Sequence, residues 1–304
     1  MSANSKTVSL VLGSGGARGL AHIGVIHWLE ENDFKIKSIV GCSIGAVIGG
    51  IYAAGKLDVY EQWVRALTKV DIVTMLDLSW DKSGLVRGEK IINTLRGLVG
   101  EKLIEDLPIS FTAVATDLRN QKEVWIRSGS LFDAMRASFA IPLFFTPFKL
   151  KGYDLVDGGV LNPVPIAPTF CDQTGITIAV NLNGPDETLI EPAVVPAAPQ
   201  APPSPLREKI NRFIARLQPP QQPSASGGGN RDWGAYEIAT QGFEAMQSTI
   251  ARLKLAAYPP DIVIDIPRNV CKTLEFERAA EIIALGYKKA KMCDFTTVGR
   301  VARP

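Results

Sequence analysis

Ile39-Val40-Gly41-Cys42-Ser43-Ile44-Gly45-Ala46 is the stretch that decides the fold. An apolar run from Ile36 to Val40 predicts a short buried strand, and a run of small apolar residues from Ala46 to Ala54 predicts the start of a helix. Between them stands Gly41-x-Ser43-x-Gly45, the pattern of a sharp strand-to-helix turn that lifts a serine hydroxyl above a sheet. Such a turn brings backbone against backbone, so a Cβ at either glycine would crowd it. The helix behind it points its free N–H groups toward the serine.

Upstream, Thr7 to Leu12 predicts a first buried strand, followed by Gly13-Ser14-Gly15-Gly16-Ala17-Arg18-Gly19 and an amphipathic helix over Leu20 to Glu31. Three readings of this glycine loop compete. A dinucleotide fingerprint needs a glycine where Arg18 stands, and an acid after the second strand, which ends in Val40-Gly41. A P-loop needs a lysine that is absent. An oxyanion loop, whose free N–H groups face a developing negative charge, alone explains why a serine-bearing turn follows at once. The helix carries both histidines, His22 and His27, which lie about 140° apart around it and so do not share a metal. Each reads as a packed or surface residue.

Downstream, Leu57 to Val70 and Arg87 to Val99 predict helices, with Trp63, Leu67, Ile91, Leu95 and Leu98 as core. Pro108 breaks the chain before a strand over Ile109 to Thr116, with Glu123 to Arg127 as its hairpin partner. Leu131 to Ser138 predicts a short helix; Phe144, Phe145 and Phe148 after it fit an apolar pocket or the core equally. Tyr153 to Asp157 predicts a strand that carries Asp157 into a glycine turn, and Asn162 to Pro165 a rigid loop leading to a helix. Strands follow over Gly175 to Leu182 and Asp261 to Ile266, and helices over Trp233 to Ala257 and Leu274 to Met292. The segment Pro185 to Pro223 holds ten of the twenty prolines, and Gly227 to Gly229 follows it, so residues 185–232 read as an insertion. Within it, residues 206–217 place Leu206, Ile210, Phe213, Ile214 and Leu217 on one helical face, with Arg207, Lys209, Arg212 and Arg216 mainly away from it. Such a helix needs a surface to fold on: anionic lipid, a partner or its own domain.

The chain has 304 residues, and 46% of them are hydrophobic, enough for one large α/β domain with a sizeable core. A net charge of +2 argues against a nucleic-acid binder. Cys42, Cys171, Cys271 and Cys293 are scattered, without zinc or disulfide spacing. Met1 to Thr7 lacks a signal-peptide core, and no stretch reaches the ~20 apolar residues of a membrane span. The expectation is a cytoplasmic protein, with peripheral contact at the inner face of the membrane through 206–217.

A serine nucleophile needs a base. In α/β-hydrolases the histidine comes last in the chain, yet here no histidine follows position 27. The base is then His22, beside the glycine loop, or a carboxylate such as Asp157, which has glycines on its far side.

The three blocks, Gly13 to Gly19, Gly41 to Gly45 and Asp157-Gly158-Gly159, resemble in type and order those of the patatin-like phospholipases, in a bacterial branch similar to the catalytic domain of neuropathy target esterase. Ser14 departs from the loop's frequent third glycine, and the insertion lies outside the family core. The resemblance implies a three-layer α/β/α patatin-like fold with a mostly parallel central sheet, as a single domain with its core over about 7–182 plus 233–292. It implies a serine lipid acyl hydrolase of phospholipase A or lysophospholipase type, with phospholipid or lysophospholipid as substrate and no cofactor or metal. Ser43 would attack the ester and Asp157 would take its proton, then activate water. Backbone N–H groups of Gly15, Gly16 and Ala17 would hold the oxyanion, and Arg18 would stabilise the loop or the anion. Two rivals stand beside this expectation: an acyltransferase or thioesterase working through the same acyl-serine, and a membrane-associated regulatory protein with a vestigial site.

Overall fold

The computed structural model describes residues 6–77, 86–187 and 235–295. The basic segment 206–217 lies outside these residues. Eight strands form one sheet: β1 (Thr7–Leu12), β2 (Lys35–Cys42), β3 (Ser110–Asp117), β4 (Lys122–Ile126), β5 (Phe148–Leu150), β6 (Tyr153–Asp157), β7 (Ile176–Gly184) and β8 (Ile262–Pro267). They run in the order β5-β6-β3-β2-β1-β7-β8, with β4 also on β3. The β3-β2-β1-β7-β8 stretch is parallel, while β4, β5 and β6 pair antiparallel. The helices are α1 (Ala21–Glu31), α2 (Ile44–Ala53), α3 (Leu57–Arg65), α4 (Lys69–Thr74), α5 (Glu89–Val99), α6 (Leu131–Ser138), α7 (Ala235–Ala257) and α8 (Ala279–Met292).

The period-2 alternation of the central strands separates two layers of core. Val8, Leu10 and Leu12 of β1 join Ile176, Ile178 and Val180 of β7 in the large apolar cluster, with α1, α2 and α8. Val11 and Ala179 face the other way, against Val164, Ile166 and Ala251 of α7. Helices thus cover both faces of a mostly parallel sheet, the three-layer α/β/α architecture.

The topology brings the chemical stretches together. β1 and β2 are adjacent and parallel, with Leu12 opposite Gly41, so the glycine loop and the serine turn leave from neighbouring carboxyl ends. This is the crevice where open α/β sheets bind ligands. β4 pairs with β3 over Ala113 to Asp117, overlapping both the β2 and the β6 pairings. β2 and β6 must therefore share the other edge of β3. They meet there end to end, with Cys42 opposite Val114 and Asp157 opposite Ala115.

Several elements differ from expectation, among them the short strand β5, which no sequence pattern marked. The helix expected over Leu57 to Val70 is two, because Thr68 caps a new start: its side chain accepts from the Asp71 N–H while Asp71 accepts from the Thr68 N–H. The last helix begins at Ala279 after a short 3₁₀ turn over Phe276–Arg278. The loop from Asn162 leads only to a 3₁₀ turn, Ala167–Thr169. No described helix is long and apolar enough to cross a membrane.

Candidate active site

Ser43 sits between β2 and α2 with φ 56 and ψ −124, a conformation that costs a non-glycine residue of order 1–3 kcal/mol. The surroundings hold it there. Its N–H donates to Ser138 Oγ at 2.9 Å, and Ser138 Oγ donates to the Val114 carbonyl at 2.6 Å, tying the turn through α6 to β3. A Cβ on Gly41 would lie 2.4 Å from the Gly45 carbonyl oxygen, so the turn closes only around glycine.

Ser43 Oγ donates to Asp157 Oδ2 at 2.5 Å. Asp157 is fully buried, and its other oxygen accepts the Gly159 N–H at 2.6 Å. Burial raises its pKa from 3.8 to about 7, against the lowering pull of the hydrogen bonds from Ser43, Gly159 and, weakly, Cys42. Gly158 packs against the Val114 carbonyl.

His22 does not reach the serine. Its Nε2 lies 2.9 Å from the Gly13 carbonyl oxygen, and burial lowers its pKa to about 4. It is a neutral brace for the glycine loop. His27 lies at the surface, 3.1 Å from Glu61.

The loop itself is pinned at several points. Gly13 donates to the Val180 carbonyl at 3.0 Å and Ser14 to the Pro163 carbonyl at 2.8 Å. Gly15 and Gly16 have no acceptor for their N–H groups among the described residues. Gly16 has φ +58, and a Cβ there would lie 2.6 Å from the Thr273 carbonyl oxygen. The expectation for Ala17 is corrected: its N–H donates to that Thr273 carbonyl at 2.9 Å and is not available to an anion. Arg18 is buried and turned onto the backbone, with Nε donating to the Gly15 carbonyl at 3.0 Å and Nη1 to the Arg268 carbonyl at 3.1 Å. It braces the loop. Gly19 and Gly45 pack the two ends of the loop against Ile44 and the end of β1.

Ser43 and Gly16 line an apolar cavity of about 120 Å³. Its walls come from α2 through α5 and from the segment after α6. Trp63, Leu67, Ile91 and Leu95, expected in the core, line this cavity, as do Phe144 and Phe145. Leu98 packs against the core, and Phe148 lies on β5. The Arg136 guanidinium stands 5.6 Å from the ring centres of Phe139, Phe145 and Phe148 and donates to the Arg87 and Thr146 carbonyls, fixing one wall. Ser138, Thr273 and Gln247, whose Nε2 donates to Ser14 Oγ at 3.4 Å, carry no local signal in the sequence that would mark them as part of this site.

Fold and site together define a class: an α/β/α protein that presents a serine on a strained strand-to-helix turn, bonded to a buried aspartate beside unpaired loop amides. The family model described as patatin-like phospholipase matches residues 10–170. Uncharacterized NTE family proteins of Mycobacterium bovis and Mycobacterium tuberculosis are 40% identical to this chain, over 93% of it and 90% of their own length. Patatin-like phospholipase domain-containing protein 6 of Homo sapiens is 32% identical over 60% of this chain, a match that spans 14% of that protein. The chain belongs to the patatin-like phospholipase family, on its NTE branch, and membership implies a lipid hydrolase.

Proposed function

We propose that the protein is a serine lipid acyl hydrolase of phospholipase A or lysophospholipase type that works through a Ser43–Asp157 dyad. The observation that carries this reading is the 2.5 Å bond from Ser43 Oγ to Asp157 Oδ2. An ordinary aspartate is too weak a base for a serine hydroxyl. Asp157, with its pKa raised to about 7, is a far better one near neutral pH. Ser43 Oγ attacks the ester carbonyl as its proton passes to Asp157 Oδ2. The N–H groups of Gly15 and Gly16 receive the developing oxyanion, and Asp157 returns the proton to the leaving alcohol. Water then cleaves the acyl-serine by the same steps in reverse order. The apolar cavity beside Ser43 suits an acyl chain, and the basic amphipathic sequence 206–217 supports peripheral contact with the inner face of the membrane.

The test is release of p-nitrophenol from a medium-chain ester. Ser43→Ala and Asp157→Asn are each expected to lose at least about 10²–10⁴-fold in kcat/KM. His22→Gln, which keeps a donor for the Gly13 carbonyl, is expected to stay active. Equal loss in a folded His22→Gln protein, or activity that survives Ser43→Ala, would overturn the dyad.

The cavity sets a second expectation. Val47 lies one turn beyond Ser43 on α2 and lines the cavity. Val47→Phe fills that space, so the ratio of kcat/KM for a twelve-carbon over a four-carbon acyl ester should fall about tenfold or more. An unchanged ratio would place the acyl chain elsewhere.

A further inference from the structure

A second cleft opens beside the apolar cavity. It measures about 680 Å³ and lies between α7, the segment after α6 and the chain that follows β8. Ile141, Phe144, Thr273 and Leu274 line both spaces, so the two adjoin along one wall. Their characters differ. Among the described residues, no charged side chain lines the cavity at Ser43, whereas Arg18, Arg268, Lys272 and Arg278 line the cleft against Glu244 and Glu275. Two of these cations are already paired: Arg268 with Asp186, and Arg278 with Glu275 and Glu281. The other two are not. Lys272 is half-buried, and only its backbone N–H is bonded, to Glu275; its Nζ has no acceptor among the described residues. Arg18 donates from Nε and Nη1 to the Gly15 and Arg268 carbonyls and makes no ion pair among the described residues. Glu244 offsets part of the Arg18 charge from beyond ion-pair distance, and it accepts from Thr273 Oγ1 at 3.4 Å. The cleft therefore offers two cations without carboxylate partners, one of them on the glycine loop whose Gly16 lines the Ser43 cavity.

We infer that this cleft holds the phosphate of the substrate's headgroup, and that Lys272 selects phosphate-bearing lipids over neutral ones. This rests on the serine lipid hydrolase reading and adds to it the class of substrate. With the acyl chain in the apolar cavity, the alcohol side of the ester extends across the shared wall, and the charge it carries meets Lys272 and Arg18. An ammonium and a guanidinium together suit a phosphate, the first as a point charge and the second as a fork of donors. The Lys272 side chain makes no bond to Ser43, Asp157 or the glycine loop, so removing it separates headgroup recognition from the chemistry.

The experiment compares a lysophosphatidylglycerol with the monoacylglycerol of the same acyl chain, both kept monomeric, in the wild type, Lys272→Gln and Lys272→Arg. p-Nitrophenyl butyrate, which has no headgroup, reports folding and chemistry. The wild type should prefer the phosphate-bearing lipid. In Lys272→Gln that preference should fall about tenfold, through KM, the scale of one hydrogen bond to a charged group at a partly exposed site. Hydrolysis of p-nitrophenyl butyrate should stay within about twofold, and Lys272→Arg should keep most of the preference. An unchanged preference in Lys272→Gln would overturn the inference, as would an equal loss on p-nitrophenyl butyrate, which would make Lys272 structural. Inorganic phosphate should compete with the lysolipid and leave p-nitrophenyl butyrate hydrolysis alone. A Lys272-dependent effect of phosphate on that small ester would mean a free phosphate site, and would also overturn the inference. Calorimetry in the Ser43→Ala background reads the cleft without turnover: adding Lys272→Gln should raise the Kd for the lysolipid about tenfold. Fatty acid release that persists in Ser43→Ala would overturn the serine reading instead, and the Kd comparison would still decide the cleft, so the two failures are distinguishable.

Discussion

Replacing Asp157 with asparagine should abolish ester hydrolysis and at the same time stabilise the protein above neutral pH. The asparagine side chain has the same shape. Its oxygen can accept the Gly159 N–H, and its amide can donate to Ser43 Oγ, so the site stays assembled while the proposed base is gone. The stability gain follows from the buried charge. Burial raises the folded-state pKa of Asp157 from 3.8 to about 7. Below pH 3.8 the carboxyl is protonated in both the folded and the unfolded chain and contributes no difference. Between 3.8 and about 7 the folded state keeps a proton that the unfolded state has released, so stability falls as pH rises. Above about 7 the penalty is complete, on the order of 4 kcal/mol for a shift of this size. Asparagine carries no such penalty. The Tm of Asp157→Asn should exceed that of the wild type by several degrees at pH 8 and match it near pH 4. On the proposed dyad the same ionisation governs activity with the opposite sign, because the base must be deprotonated. The acid limb of kcat/KM in the wild type should therefore fall near pH 7, not near 4. An Asn variant less stable than the wild type at pH 8 would mean that the site favours the charged carboxylate, and the raised pKa would be wrong.

Much of this arrangement is legible in the sequence, for reasons that differ from residue to residue. β1 and α6 stand where the apolar runs Thr7 to Leu12 and Leu131 to Ser138 predict them, because local periodicity and burial agree there. β5 is missed because a three-residue edge strand has too little pattern. Apolar periodicity marks Trp63, Leu67, Ile91 and Leu95 as buried, yet the wall of a cavity and the middle of a core share that pattern. Ser43 is marked by its own turn, whereas Asp157 sits in an Asp-Gly that taken alone reads only as a turn and stands out through the family resemblance. Their meeting is not readable, since it depends on β2 and β6 sharing one edge of β3. The place of Ala17 in the loop makes it a donor candidate; only the carbonyl of Thr273, from the far end of the chain, removes it. Gln247 has no sequence signal of its own, because α7 reaches the site from beyond the insertion.

Gly45→Ala should be a severely damaging single-methyl change, and Gly97→Ala a mildly favourable one. Gly45 lies in the first turn of α2, where a Cβ would stand 2.1 Å from the carbonyl oxygen of Leu12 and 2.9 Å from that of Gly13. Neither atom belongs to a side chain that could swing aside. Leu12 ends β1, which is bonded on both edges, to β2 and to β7. Gly13 is fixed by its own N–H on Val180 and by His22 on its carbonyl. The methyl group must therefore push α2 off the end of β1, separating the serine turn from the glycine loop it faces. Backbone overlap of this kind falls in the range of more than about 3–4 kcal/mol. Gly97, in contrast, lies in the last turn of α5 with nothing within 4 Å of an added Cβ. There alanine gains up to about 1 kcal/mol of helix propensity. Urea titrations of the two variants should move the midpoint in opposite directions. Were Gly45→Ala to unfold at the wild-type midpoint, the close seating of α2 on β1 would not be what fixes the turn, and the strain at Ser43 would need another source of support.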